Sequence, residues 1–459
     1  MGGQPTLVLV LGARHGTGGR QVRSAPVDLS RSFAPFRHRR FALLWAGAFV
    51  SNIGTWMETV GVGILVTSAT GKAGWTGLVA AAGFVPTALL APLGGALADR
   101  VPRRTLLLST TSFQILFAGL LTLVTSLGDP SPGLVTLIVL GAGCANALGF
   151  PAYQAMLPDL VPRDDVPGAV AMSSAQWNLG RVIGPALAGL VIGLGGYELA
   201  FLLNTLSFFA VFAVVASFRL PPPTPEPGVS ILGSIRDGAR FVRGDPALRF
   251  VVGCMALNSL LAAPFIALIP AVALEVFHDE KFGTSALVTA QGVGAVCMGL
   301  ALGTLFGRLG TRRVVLGVLS LLPVALVLYA LAPTLAFAMV AIFAVGALYL
   351  GSLSSFTTVA QLRAPAALRG RVVSVLMMLI GSLYPIGSIA QGAIADEIGL
   401  RATTTAAAVL LAALLLGWRV LRPRAADAIG DTVTTAFVSE DNVVAEPGDP
   451  ARARNLEGG

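Results

Sequence analysis

The sequence predicts an all-α polytopic membrane protein, with twelve transmembrane helices arranged as two parallel six-helix repeats. Three observations carry that expectation. Of 459 residues, 55% are hydrophobic and only 12% charged, with a mean hydropathy of +0.79; soluble domains carry about 25% charged residues. The apolar residues gather into twelve runs of bilayer-spanning length. A basic turn, Gly95-Ala-Leu-Ala-Asp99-Arg100-Val-Pro102-Arg103-Arg104, returns 208 residues later as the weaker Gly303-Thr-Leu-Phe-Gly307-Arg308-Leu-Gly310-Thr-Arg312-Arg313.

The spans must be helices, because lipid offers free backbone groups no partner. In order they are expected at 41–68, 73–98, 104–127, 132–157, 168–194 and 197–218 in the first half. The second half supplies 248–274, 284–306, 313–332, 335–357, 370–395 and 401–421. The charges between them alternate. Arg37, Arg39 and Arg40 precede the first span and Lys72 follows it; Arg100, Arg103 and Arg104 follow the second, Asp129 the third, Arg163 the fourth and Glu198 the fifth. Arg219 to Arg249 bridge the halves; Glu275, Asp279, Glu280 and Lys281 follow the seventh span, and Arg308, Arg312 and Arg313 the eighth. Arg363, Arg369 and Arg371 follow the tenth, Asp396, Glu397 and Arg401 the eleventh, and Arg419, Arg422 and Arg424 close the twelfth. With twelve spans every basic turn lands on one side, which the positive-inside rule makes cytoplasmic, together with both termini. The net charge of +8 is thereby a topology signal, and no nucleic-acid partner is expected.

Five segments are expected: a cytoplasmic tail at 1–40, a six-helix half at 41–218, a linker at 219–247, a second six-helix half at 248–421, and a disordered cytoplasmic tail at 422–459. The linker opens on Pro221-Pro222-Pro223-Thr-Pro225-Glu-Pro227, which is no helix. Beyond it Ile231, Ile235, Ala239 and Val242 recur at helical spacing, with Arg236, Asp237, Arg240 and Arg243 at other positions. Two readings fit: an amphipathic helix on the inner membrane surface, or a solvated connector. The apolar stretch from Leu7 to Leu11 is too short to span and no basic region precedes it, so no signal peptide is expected. Cys144, Cys254 and Cys297 lie in apolar runs without a Cys/His cluster, so neither metal nor disulfide is expected.

The repeat extends beyond the turn. Gly47 and Asn52 match Gly253 and Asn258 at an offset of 206, and Gly184, Gly189 and Gly196 match Gly387, Gly392 and Gly399 at 203. Parallel repeats of this kind enclose a binding site between them near the midplane. The copies differ in charge: Asp99 corresponds to Gly307, Glu58 to Pro264 and Arg181 to Tyr384.

Two charges fall deep in the bilayer. Glu58 sits mid-span beside a polar stripe of Asn52, Thr55 and Thr59, with Trp56 and Met57 flanking it; a central acid costs about 2.5–3.5 kcal/mol even on the mild insertion scale. Two readings fit it, an ion pair tying helices together or a proton or cationic-substrate site. Arg181 keeps its charge at accessible pH and needs a counter-charge or water. Both residues lie within about one turn of their span centres, so they are expected to pair, or to share one cavity, in at least one state. Separating them would change the proton affinity of Glu58, which is the minimum a proton-coupled carrier requires. Around Arg181, Gly180, Gly184, Pro185 and Gly189 give the fifth span a face of small residues and a possible bend. Asn52, Trp56, Asn146, Asn258, Gln291 and Tyr384 are candidates for the cavity wall.

The basic turn with Gly95, Asp99, Arg100, Arg103 and Arg104 resembles the loop between helices 2 and 3 of the major facilitator superfamily. Ser51-Asn52-Ile-Gly54-Thr55-Trp56-Met57, Arg369-Gly370-Arg371-Val372 and the segment ending Phe241-Val242-Arg243 resemble its twelve-helix drug:proton antiporter-3 branch, which includes macrolide efflux pumps and the enterobactin exporter. The resemblance covers about residues 40–421. Gly180-x-x-x-Gly184-Pro185-x-x-Ala188-Gly189 resembles a degenerate antiporter signature, with Ala171 and Ala188 where the family has glycine; Pro102 also replaces a family glycine, and the common helix-4 arginine is absent. The branch often carries Gln where Glu58 stands.

The resemblance implies alternating access, with Asp99 as half of a cytoplasmic gate. In the outward-facing state that gate would engage the N-terminus of the eleventh span near Arg369 and Arg371. It also implies export of amphipathic small molecules of drug or siderophore class, by proton antiport, from a monomer in a bacterial inner membrane. The partners are then the lipid bilayer, a small-molecule substrate and protons. A proton-coupled uptake symporter stays open, since sequence does not fix direction. So does a polytopic membrane enzyme or sensor, although His15, His38 and His278 are scattered outside the spans. No cofactor is implied: Gly12 to Arg20 is glycine-rich but lacks the lysine end of a phosphate loop.

Overall fold

The structure is a computed structural model that describes residues 33–217, 231–279, 282–365, 368–421 and 429. The expectations for the N-terminal tail before residue 33, the proline run at 221–227 and the C-terminal tail, Ile429 aside, lie outside the described residues. Among the described residues there is no β-strand.

The first half contains α1 (Arg39–Thr70), α2 (Ala73–Arg100), α3 (Arg103–Ser126) and α4 (Pro132–Met156). A single run, Val166–Ser217, follows and is broken by non-helical backbone at Gly195 and Gly196 into α5 (166–194) and α6 (197–217). Length and hydropathy alone therefore count eleven membrane-crossing helices; the break makes twelve, as the alternation of charges requires. A short helix α7 (Ile231–Gly244) leads to α8 (Pro246–Val276), α9 (Gly283–Leu309), α10 (Thr311–Ala330), α11 (Leu335–Arg363), α12 (Arg369–Ile398) and α13 (Leu400–Leu421). Six of the helices, α1, α2, α8, α9, α11 and α12, end two to six residues past the expected spans, because their last turns extend beyond the apolar stretch, whereas α3, α4, α6 and α10 end one or two residues short. One face of the molecule gathers the arginine-rich ends and is called the basic face below; the other is the far face.

Cohesion between helices in lipid comes from close packing rather than from hydrophobic exclusion, and glycines permit the closest approaches. The repeated glycines make equivalent contacts in the two halves. A Cβ on Gly47 would meet Val211 of α6, and one on Gly253 would meet Trp418 of α13. Gly184 seats α1 at Trp56 and Ile53, as Gly387 seats α8 at Leu260 and Pro264. Gly189 meets Ser285 of α9, and Gly392 meets Ala73 and Gly74 of α2. Gly196 and Gly399 both take positive φ, 71° and 85°, at matching turns, a conformation that disfavours any side chain. The two-repeat layout is thus written in contacts as well as in sequence.

The halves meet most extensively through α2 with α12 and α5 with α9, and α8 also touches α1 and α2, as where a Cβ on Gly63 would meet Pro270. Within the second half, α9 and α11 touch backbone to backbone: a Cβ on Gly294 would overlap the Phe343 carbonyl, and one on Gly346 the Gln291 carbonyl.

Helix α8 departs from regularity where it faces α12. Residues Asn258–Ala262 and Val272–Val276 form π-helical turns. Pro264 has no N–H to give the Leu260 carbonyl four residues back. Gln391 Nε2 of α12 supplies the missing donor, to Leu260 O at 3.1 Å and Leu261 O at 3.0 Å. The basic end of α8 is capped by Asp245, which accepts from Ala247 N at 2.8 Å and Leu248 N at 3.0 Å and pairs with Arg363 at 3.3 Å.

The segment after the proline run is the helix α7, and it docks on protein rather than lying free. Asp237 pairs with Arg371 at 2.6 Å, Gly238 abuts the Arg371 backbone, and Val242 is buried among residues of α8.

Because nothing lies near Gly303 while Gly294 meets backbone, the two glycines of α9 are expected to respond oppositely. Gly294→Ala is expected to cost about 1–3 kcal/mol and to lower the melting temperature of the purified protein. Gly303→Ala is expected to be neutral or to stabilise by up to about 1 kcal/mol. Equal melting temperatures for the two variants would contradict the α9–α11 contact.

Candidate functional site

The faces of α1 decide where its polar residues point. Gly47, Gly54 and Gly61 meet Val211, Asn204 and Phe201, so that heptad row lies against α6. Asn52 and Trp56 lie on another side, against Gly180 and Gly184 of α5. Glu58 is four residues from Gly54 and falls on the α6 side.

Glu58 is partly exposed and its Oε2 accepts from Asn204 Nδ2 at 2.6 Å. Asn204 is wholly buried, and Ser207 donates to its Oδ1 at 3.2 Å. Gly54 makes this possible, since a Cβ there would land on Asn204 Oδ1. The sequence reading missed Asn204. Its signal was an amide in an apolar run, with nothing to identify the helix it meets.

Arg181 stands on the α5–α9 contact between the halves. Its Nη2 donates to Gln291 Oε1 at 3.4 Å, and its guanidinium carbon lies 5.6 Å from the Trp56 ring centroid, within cation–π range. Tyr349 and Tyr384 lie within electrostatic range of it. Glu58 does not pair with Arg181 in this structure, so the pairing expected in at least one state is not made in this one. The residues are similar in depth, but Trp56 and Glu58 are two positions apart on α1 and so nearly opposite in azimuth; the acid follows α6 and the ring follows α5.

The remaining cavity candidates separate. Trp56 and Gln291 meet Arg181 directly, and Asn52 packs on the neighbouring Gly180. Tyr384 is 5% exposed, with its ring 5.0 Å from Phe84 across the α2–α12 contact. Asn146 on α4 is partly exposed. Asn258 departs from the expectation: it is buried inside the second half and donates to Ser352 Oγ at 2.9 Å, because the π turn that begins there turns it toward α11. On the basic-face side a cavity of about 190 Å³ lies between α4 and α5, lined by Phe150, Tyr153, Gln154, Ser173, Gln176 and Trp177. An aromatic run, Phe150–Trp177–Trp56, with centroids 5.8 and 6.0 Å apart, joins this cavity to Arg181. The sequence reading missed it, although Tyr153-Gln154 and Ser173-Ser174-Ala-Gln176 are polar runs within spans.

The two faces differ. At the far face α2 and α12 touch: Gly77 abuts the Ser388 carbonyl, and both Asp396 carboxylate oxygens accept from Gly74 N, at 3.2 and 3.1 Å. Asp396 thus caps the positive N-terminus of α2. At the basic face, among the described residues, nothing lies near Gly95 or Gly370, and Asp99 and Arg100 are exposed. The N-terminus of α12, expected to receive Asp99 in the other state, is held here by α7 through Asp237 and Arg371. Arg103 and Arg104 serve their own half: Arg103 bonds Asp159 at 2.6 Å and Ala155 O at 2.9 Å, and Arg104 bonds Ala216 O at 2.7 Å. The structure is therefore closed at the far face and open at the basic face. Asp396 is thus a cross-half charge supplied by the second half, whereas Glu58, Asp99 and Arg181 all belong to the first.

Breaking the Asp396 cap is expected to loosen the far face. In a cysteine-free background with a single Ser388→Cys, thiol labelling from the far side is expected to rise about tenfold on adding Asp396→Ala, an opening shift of about 1.4 kcal/mol. Unchanged labelling would show that the cap does not hold the face shut.

Comparison with known proteins agrees with this architecture. Residues 30–446 match the family described as transmembrane secretion effector. The chain is 30% identical over 401 residues to the multidrug efflux pump Tap of Mycolicibacterium fortuitum, covering 82% of this chain and 92% of that one. It is 23% identical over 372 residues to macrolide efflux protein A of Streptococcus pyogenes, covering 79% and 90%. It is 29% identical over 347 residues to the enterobactin exporter EntS of Escherichia coli O1:K1 / APEC, covering 73% and 80%. In fold it is similar to a bacterial homologue of the lysosomal transporter Spinster in an inward-facing, unoccupied conformation, with a TM-score of 0.66 and 16% identity over 87% of this chain and 98% of that one. The twelve spans, the repeated glycine contacts and the family match over most of the chain lead to one conclusion: this protein is a multi-pass membrane transporter of the transmembrane secretion effector family, within the major facilitator superfamily.

Proposed function

We propose that the chain exports amphipathic small molecules by alternating access, driven by proton entry. The observation that carries this reading is the asymmetry of the faces around Arg181: closed by α2 and α12 at the far face, open at the basic face. By the positive-inside rule the basic face is cytoplasmic, so the site faces the compartment from which an exporter loads. Tap, macrolide efflux protein A and EntS are exporters by name, which supports the direction. The protein then resides in a bacterial plasma membrane, with both termini inside, and works as a monomer.

In this cycle the bodies that rock are the halves 41–218 and 248–421, joined by the linker 219–247. Glu58 is the proton site and Asn204 holds its carboxyl while the basic face is open. Asp99 closes the basic face when Asp396 releases the far one. One proton entering through about 100 mV supplies about 2.3 kcal/mol, enough for about a fiftyfold gradient.

Proteoliposomes with an imposed pH gradient test the coupling, using radiolabelled macrolide and enterobactin as cargo. At least one is expected to accumulate against its gradient, and Glu58→Gln is expected to abolish accumulation while cargo binding persists. Accumulation indifferent to the pH gradient, or undiminished in Glu58→Gln, would overturn proton antiport through Glu58.

Gly95→Val separates gating from binding. The space beside Gly95 is open here, so the variant is expected to fold and bind. Bulk there obstructs closure of the basic face, and turnover is expected to fall at least about tenfold, a barrier increase of about 1.4 kcal/mol. Unimpaired turnover would remove Gly95 from the gate.

A further inference from the structure

Arg181 is a fixed cation at the junction of the halves, and among the described residues no carboxylate pairs with it. Its one hydrogen bond from the guanidinium to protein goes to Gln291 Oε1, a neutral acceptor. The nearest candidate acid, Glu58, is committed to Asn204 on the other side of α1. A cation in the membrane interior without a counter-charge is costly, and Arg181 is partly exposed, so a charge from outside the protein can reach it.

The neighbouring groups point the same way. Among the described residues, Gln291 is 1% exposed and its Nε2 has no hydrogen-bond partner, Asn52 is 6% exposed and its Nδ2 has none, and the buried Trp56 Nε1 has none. Each is an N–H donor. Gln291 shares its amide with the Arg181 contact, Asn52 packs on Gly180 beside Arg181, and the Trp56 ring lies under the guanidinium. Three donors, two on α1 and one on α9, thus gather about the Arg181 cation of α5, with no acid among the described residues to receive them. Such a cluster suits an oxyanion and disfavours a cation, which would meet Arg181 as a like charge. The aromatic run from Trp56 through Trp177 to Phe150 supplies an apolar track from this point toward the basic face.

We propose that the site binds an amphipathic anion, with its carboxylate or equivalent oxyanion on Arg181, Asn52, Gln291 and Trp56 Nε1 and its ring system along Trp177 and Phe150. This deepens the export reading and rests on it for the ligand's role as cargo. Because donors come from both halves, the anion bridges the α5–α9 contact, and its arrival and departure bear on how the halves hold together. Under an inside-negative potential the outward movement of an anion is itself driven, so this cargo adds to the force supplied by the proton.

The test is a matched set of probes on the purified full-length protein: naphthaleneacetate, its uncharged amide, and the naphthylmethyl-trimethylammonium cation, each titrated by tryptophan quenching. The acid is expected to bind about tenfold more tightly than the amide and the cation more weakly than both. Arg181→Gln is expected to bring acid and amide within about twofold, and Arg181→Lys to retain part of the preference. Asn52→Leu and Gln291→Leu, which keep the cation, are expected to reduce the preference without abolishing it. Amide or cation binding as tightly as the acid to the parent protein would overturn the proposal, as would an unchanged acid:amide ratio in Arg181→Gln. If Arg181→Gln does not fold, the parent ratio together with Arg181→Lys decides. Acid preference without flux in proteoliposomes would leave the anion site standing and sink the export reading; flux without acid preference would do the reverse.

Discussion

The contact between α2 and α12 governs the rest of the structure. The two helices run antiparallel across the junction of the halves, so at each face the C-terminal end of one stands on the same side as the N-terminal end of the other. Lipid gives no hydrophobic force to hold them together; small residues and polar caps must do it. At the far face Gly77 and Gly392 let the backbones touch, and Asp396 caps Gly74 N of α2. At the basic face Asp99 holds the corresponding place on α2 but stands exposed. In the proposed cycle this pair of helices carries a carboxylate latch at each end, Asp396 engaged here and Asp99 open. Neither latch is the repeat copy of the other: Asp99 corresponds to Gly307, and Asp396, in α12, corresponds to Gly193 of α5. Antiparallel geometry, not duplication, makes them reciprocal.

Two intramembrane charges are accommodated without each other. Glu58 takes a donor from a wholly buried asparagine, and room for that asparagine comes from Gly54 on the same helix. Arg181 rests near an indole ring and an amide oxygen. Bringing the two together requires a rotation or shift of α1 against α5 or α6, since the tightly seated glycines at 54, 180 and 184 fix its present azimuth. In the proposed cycle proton uptake and cargo binding are thereby separated in space while sharing one helix, which would give a physical basis for exchange: a change in the seating of α1 would alter both sites.

Much of the fold was legible because it follows from one-dimensional rules. Span length, the side on which arginines fall, and the offset between glycines required no knowledge of partners. The offsets of 206 and 203 reappear as matched contacts, Gly47 with Gly253 and Gly184 with Gly387. What stayed hidden was pairing. Asn204 is 146 positions from Glu58, and Asp396 is 322 from Gly74; a polar residue in an apolar run shows that it needs a partner, not which one. The inference that Glu58 meets Arg181 used depth, which sequence gives, and lacked azimuth, which packing decides. Pro264 illustrates the same limit: its missing N–H is certain from sequence, yet the donor that relieves Leu260, Gln391, comes from another helix.

The linker helix adds a constraint on the proposed cycle. Asp237 of α7 already occupies Arg371 in the first turn of α12, and Gly238 sits on that turn's backbone. The N-terminus of α12 can be neutralised by a carboxylate from the linker or by Asp99 of α2. Closing the basic face brings Asp99 toward the same turn, so two acids then converge on one positive end. Like charges at close range oppose each other, and the crowding is relieved when α7 gives way or when Asp99 takes the helix end and leaves Arg371 to Asp237. In either arrangement the linker is part of the gate's energetics, because the charge that Asp99 must engage is not free while the basic face stands open.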